Sequence, residues 1–120
     1  MDDARNEQWT EIGTIAPIMP GDIIRFDGLI LVIEVAGDRV LSVDVTDGLT
    51  HMWHTVETLS GCSKAVDPVR LCEVRCDAER KRSIEAVTAH GTDQARWNAE
   101  RVGMWETLRS LVVALRARRP

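Results

Sequence analysis

Asp27-Gly28-Leu29-Ile30-Leu31-Val32-Ile33-Glu34-Val35-Ala36-Gly37-Asp38-Arg39-Val40-Leu41-Ser42-Val43-Asp44-Val45-Thr46-Asp47-Gly48 is the stretch that decides the fold. Its apolar period is two: Leu29, Leu31, Ile33 and Val35 fall on one face, Ile30, Val32 and Glu34 on the other. Such alternation belongs to a β-strand buried on one side and in part on the second, hence central in its sheet. Arg39 to Val45 follows with Leu41, Val43 and Val45 opposite Val40, Ser42 and Asp44, a half-exposed strand. Gly37-Asp38 suits the hairpin between them, because glycine accepts the positive φ of a tight turn. Asp47-Gly48 leads in the same way into Leu49 to Thr55, and Asp27-Gly28 joins the central strand back to Ile23-Ile24-Arg25-Phe26. Four consecutive strands form an antiparallel meander.

Working outward, residues 1–19 read as an arm and connector. Trp9 and Ile12 are spaced to share one face of a short helical turn, and Thr14 to Met19 is held extended between Pro17 and Pro20. The folded body is expected to begin at Pro20-Gly21-Asp22 and to span residues 20–74. Val56 to Leu59 makes a single helical turn, and Val69 to Val74, opening on Pro68, reads as a fifth strand. Residues 77–118 are helical. Asp77 to His90 carries only a thin apolar stripe, chiefly Ile84 and Val87, and is expected at the surface. Gly91 fits a left-handed helix end and Thr92 an N-cap with Asp93 in the next first turn. A hairpin of two helices is preferred; one continuous helix competes, since an internal glycine costs only about 1 kcal/mol relative to alanine. The fold class is α+β.

Pro20-Gly21-Asp22 leading into Ile23 to Phe26, then Leu29 to Val35 and a tight turn, resembles the opening of SH3-like small β-barrels of the KOW and Tudor kind. The resemblance covers residues 20–74 and implies a barrel in which Val56 to Leu59 is the helical turn before the last strand. It implies architecture rather than activity. Phe26 and Trp53 are the only aromatics in that stretch, few for the cages and grooves by which such barrels hold ligands.

Composition bounds the rest. A 120-residue chain, 44% hydrophobic and 28% charged, is of single-domain size. Its longest apolar runs, Leu29 to Ile33 and Leu111 to Leu115, are far below the ~20 residues of a membrane helix. The acidic start lacks the pattern of a secretion signal, so a cytoplasmic setting is expected. Cys62, Cys72 and Cys76 cannot all pair within one chain, and reduced thiols are the simplest reading. Residues 1–69 hold 4 basic and 12 acidic side chains, net −8; residues 70–120 hold 11 and 7, net +4, which together give the chain's −4. Opposite halves either attract one another within the molecule or leave a basic arm for a partner.

Chemistry is sparse. His51, His54, Cys62, Cys72, Cys76 and His90 are residue types that zinc accepts, yet a strand through His51 and His54 sends the two imidazoles to opposite faces, and no Cys pair has the two-residue gap of common structural sites. No metal is assigned. Ser60 or Cys62 beside His51 or His54 would be a nucleophile and base, but no activating elbow surrounds them, and phosphate loops are absent. Neither catalytic residues nor a cofactor are implied.

The last helix carries Trp97, Met104, Trp105 and Leu108, followed by Leu111, Val112 and Leu115, on one broad apolar face. That face packs on the sheet or joins a protein partner or second copy. Arg80, Lys81 and Arg82, with Arg116, Arg118 and Arg119, form the candidate nucleic-acid contact. The expectation is a non-enzymatic protein-interaction or assembly module, in a bacterial or phage accessory role suggested by the arginine-rich composition. The alternative is a nucleic-acid-associated regulator acting through the basic helices.

Overall fold

The computed structural model describes residues 8–13, 17–45, 50–89 and 91–119. Along the chain run β1 (Trp9–Glu11), β2 (Ile23–Arg25), β3 (Leu29–Ala36), β4 (Arg39–Asp44), β5 (Thr50–Thr55), α1 (Val56–Leu59), β6 (Ser63–Ala65), α2 (Pro68–Ala89) and α3 (Thr92–Ala117). The strands make one antiparallel sheet in the order β1-β6-β2-β3-β4-β5. Among the described residues this sheet is open, with β1 and β5 at its edges, not the closed barrel that the resemblance implies. The meander of β2 to β5 lies where the alternation puts it; the Asp47-Gly48 turn lies outside the described residues.

Three expectations are corrected. Trp9 and Ile12 do not form a helical turn: β1 pairs with β6, and Ile12 N–H donates to the Cys62 carbonyl at 2.8 Å. The folded body therefore begins before Pro20. Val69 to Val74 is helix, not strand. Asp67 caps it, its Oδ1 accepting from Arg70 N–H at 3.1 Å. Pro68 stands at the first helical position, where its missing N–H is no loss. Thirdly, Gly91, at φ +87°, is itself the N-cap of α3, and Thr92 is already helical. The two helices pack as the preferred hairpin.

A β-bulge shifts the β3–β4 register between Val32 and Glu34. Past it the faces exchange: Ile33 packs toward the helices with Leu31 and Val43, whereas Val35 joins Ile30, Val32 and Val40 opposite. The sheet is thus buried on both sides. One core unites Ile23, Leu31 and Val43 with Leu71, Cys72 and Cys76 of α2 and Trp105, Leu108 and Val112 of α3. The other gathers Ile24, Ile30, Val32 and Val40 under Ile12, Ile18 and Leu59. Each fully buried aliphatic side chain of this kind contributes roughly 1.5–3 kcal/mol. The molecule measures 50 × 27 × 26 Å. One turn beyond Cys76, buried Glu79 accepts from Asn98 Nδ2 (3.0 Å) and Arg101 Nε (3.3 Å), tying α2 to α3 by a satisfied polar cluster.

The charge asymmetry closes inside the molecule at the Gly21-Asp22 turn. Asp22 is 3% exposed. Its Oδ2 accepts from Met19 N–H (2.9 Å) and Lys64 Nζ (3.3 Å), its Oδ1 from Arg119 Nη2 (2.9 Å), with Arg116 Nη1 at 3.9 Å. Gly21 sits at φ +91°, and a Cβ there would lie 2.7 Å from Arg116 Cγ, so only glycine lets the end of α3 approach.

Candidate functional site

The residues expected to form a partner surface divide once placed. Trp105, Leu108 and Val112 are buried in the chain's own core, and Met104 and Leu115 are partly buried against it. Trp97 is 53% exposed, with the Arg101 guanidinium 5.2 Å from its ring centroid, and Leu111 is exposed. The basic residues divide likewise: Arg116 and Arg119 hold Asp22, Arg80 pairs with Asp77 at 3.1 Å and Arg82 with Glu79 at 3.2 Å. Lys81 and Arg118 are exposed.

The candidate metal ligands do not converge. His51 is exposed on β5, His54 is buried from the other face, Cys62 precedes β6, and Cys72 and Cys76 lie one turn apart on α2; His90 lies outside the described residues. Cys72 and Cys76 border a cavity of about 490 Å³ between the helices. Its walls bring Arg70, Arg80 and Arg109 against Glu73, Asp77 and Glu106, paired along α2 at 3.1 and 3.9 Å and across to α3 at 3.0 and 3.6 Å. Burial pushes the Cys72 thiol up to about 12 and also raises Cys76. Thiolate, not thiol, is the nucleophile. In native protein at neutral pH a thiol-labelling reagent is expected to react with partly exposed Cys62 and to reach Cys72 and Cys76 only on unfolding, as mass mapping of labelled peptides would show.

The surface that sequence reasoning passed over is the edge strand β5. It pairs with β4 through six residues without a bulge, from Arg39↔Thr55 to Asp44↔Thr50, and among the described residues the sheet ends there. Five of its six residues are exposed, including Met52 at 42% and Trp53 at 51%, and none is Asp, Glu, Lys, Arg or Pro. Edge strands are ordinarily guarded by shortness, charge, proline or bulges, since their unpaired backbone groups recruit other strands. The opposite edge obeys this rule: β1 has three residues and carries Glu11. Strand β5 does not.

Its inner face is held by His54. The Nε2 atom lies 3.0 Å from Ser42 Oγ, which donates to the Met52 carbonyl at 3.4 Å, and the imidazole meets Phe26 edge-on at 4.9 Å. Burial lowers the His54 pKa from its ordinary 6.5. The folded state therefore favours the neutral ring. Its contribution is full above about pH 6.5 and is lost as pH falls toward the lower folded value, because the unfolded chain then binds more protons. Urea midpoints measured from pH 7.5 to 5 should fall on acidification, and the fall should be shallower in His54→Gln.

The signal for this edge was present in the sequence: Thr50-His51-Met52-Trp53-His54-Thr55 is the one strand of the meander without a charge, and it comes last. No family model matches the chain, and no curated protein or solved structure is similar to it.

Proposed function

We propose that this chain is a non-enzymatic assembly module that joins a second copy of itself through β5, the two edges pairing antiparallel about a two-fold axis. The observation that carries this is the length, exposure and lack of charge of β5. In such a pair every residue faces residues of its own strand, so a charged edge repels itself, whereas an uncharged one does not. An axis at Trp53 sets the two indoles against each other and each Met52 against the partner's His54. Neighbouring β4 ends in Arg39 on one side and Asp44 on the other. The antiparallel arrangement brings the basic end of one copy toward the acidic end of the other. At about 14 Å, three strand spacings, the two β4 backbones are too far apart for an ion pair, and the Arg39 guanidinium instead lies 5.5 Å from the Trp53 ring centroid of its own chain. The buried cysteines, held as thiols, fit a structural rather than catalytic role. The SH3-like resemblance fits as an opened version of that architecture, with α1 before the last strand. For the nucleic-acid alternative, four of the six basic side chains already face carboxylates.

The test is Trp53→Lys, which places like charges across the axis. Light scattering should find the variant monomeric with its circular dichroism unchanged and the native chain dimeric. A native monomer at tens of micromolar, or a variant that remains dimeric, contradicts the proposal.

A further inference from the structure

Of the residues whose type suits zinc, only Cys72 and Cys76 come together among the described residues. As a strand, the segment would hold them about 13 Å apart, four residues at ~3.3 Å each. Because Pro68–Ala89 is helix, they lie one turn apart on α2, where Cβ atoms at this spacing are about 5–6 Å from each other. Both are turned inward. Cys72 is 0% exposed and Cys76 5%, both belong to the core that holds Trp105 and Leu108, and the Cys76 thiol donates to the Val102 carbonyl of α3 at 3.7 Å.

That spacing selects among the bonds two sulfurs can make. A disulfide needs Cβ atoms ~3.5–4.5 Å apart, closer than a regular helical turn sets them. A single ion between the sulfurs, with two bonds of about 2.3 Å laid end to end, needs a sulfur–sulfur span of roughly 4.6 Å, which an undistorted turn meets. Among the described residues no three His, Cys, Asp or Glu side chains are placed to share an ion, so a zinc centre of four side chains is not built here. Two sulfurs in line are the full ligand set only of a soft cation that accepts two-coordination.

Charge decides between such cations. Binding exchanges both thiol protons for the ion: two S–H bonds break, two metal–sulfur bonds form, and both protons leave to solvent with no change of oxidation state. A monovalent ion leaves a net negative centre at sulfurs shielded from water, and the nearby Arg80 and Arg109 are already matched by Asp77, Glu106 and Glu73. A divalent ion leaves a neutral centre, which avoids burying an unpaired charge. We infer that Cys72 and Cys76 form a two-sulfur site for a divalent thiophilic cation of the mercuric class, on the side of α2 that faces α3.

Mercuric chloride is the probe, one equivalent per chain added to the full native protein, with Cys62, partly exposed before β6, as the built-in single-thiol control. Native mass spectrometry should find each chain heavier by one mercury and lighter by two protons, with Cys62 still open to a thiol-labelling reagent. Two equivalents of glutathione should leave the ion in place but remove it from Cys72→Ser and Cys76→Ser, whose hold is expected to be at least about 100-fold weaker because the second sulfur no longer acts at high effective concentration. Circular dichroism checks that the variants keep α2; if either misfolds, the proton count and the free Cys62 of the native chain carry the test. Blocking of Cys62 at one equivalent, loss of a single proton, or release to glutathione as ready from the native chain as from the variants overturns the inference.

Discussion

Asp22→Ala is expected to lower unfolding free energy by about 3 kcal/mol, the lower end of the range for breaking a buried ion pair, because its partners keep some water. The carboxylate is 3% exposed, and its removal leaves Lys64 and Arg119 clustered around an empty site. Arg116, farther away at 3.9 Å and 38% exposed, adds little. Urea denaturation measures the loss. Arg118→Ala, at an exposed position of the same helix end, serves as the control and should change stability by less than about 0.5 kcal/mol. A double-mutant cycle between Asp22 and Arg119 should show coupling; additivity would mean that the end of α3 is not fastened to the turn.

Trp105→Ala is expected to be at least as damaging, about 3–5 kcal/mol, since it removes the largest side chain from the core between sheet and helices. Trp105 is 2% exposed and packs with Leu108, Val112 and Cys72. Trp97→Ala, two turns earlier on the same helix, should cost under about 1 kcal/mol, because that ring is already half in water and loses chiefly its stack with Arg101. Thermal or urea unfolding of the two variants side by side reads the contrast.

That contrast shows where sequence reading stops. Periodicity placed both tryptophans on one apolar face of α3, and it was right that the face exists. Only the part from Val102 onward reaches the core shared with the sheet, whereas Trp97 lies beyond it, and where that core stops is not written in the helix. The meander was legible because β3 and β4 alternate over enough residues to leave no other period. Strands β1 and β6, three residues each, are too short to carry a period; β6 pairs with both β1 and β2, and β1 with β6. Val69 to Val74 was misread because Pro68 opens strands and helices alike; the preceding Asp67 was the clue, a side chain that caps a helix. The bulge at Ile33 was silent in the sequence, and Val35 was assigned to the wrong face as a result.

The working surfaces were legible to different degrees. Charge asymmetry left two readings open, an attraction between the halves or a basic arm for a partner; Asp22 with Arg116 and Arg119 is an instance of the first, and the sequence did not say which carboxylate. The β5 edge was legible in part: its lack of charge and last place in the meander stand in the sequence, but that no further strand covers it among the described residues needed the strand order.

The central claim, that β5 is an assembly edge, is tested most directly by amide hydrogen exchange on the full chain as a function of protein concentration. Protection of Thr50–Thr55 should rise with concentration while that of β1 stays constant. Protection at β5 that is independent of concentration, or a rise confined to α3, would contradict it.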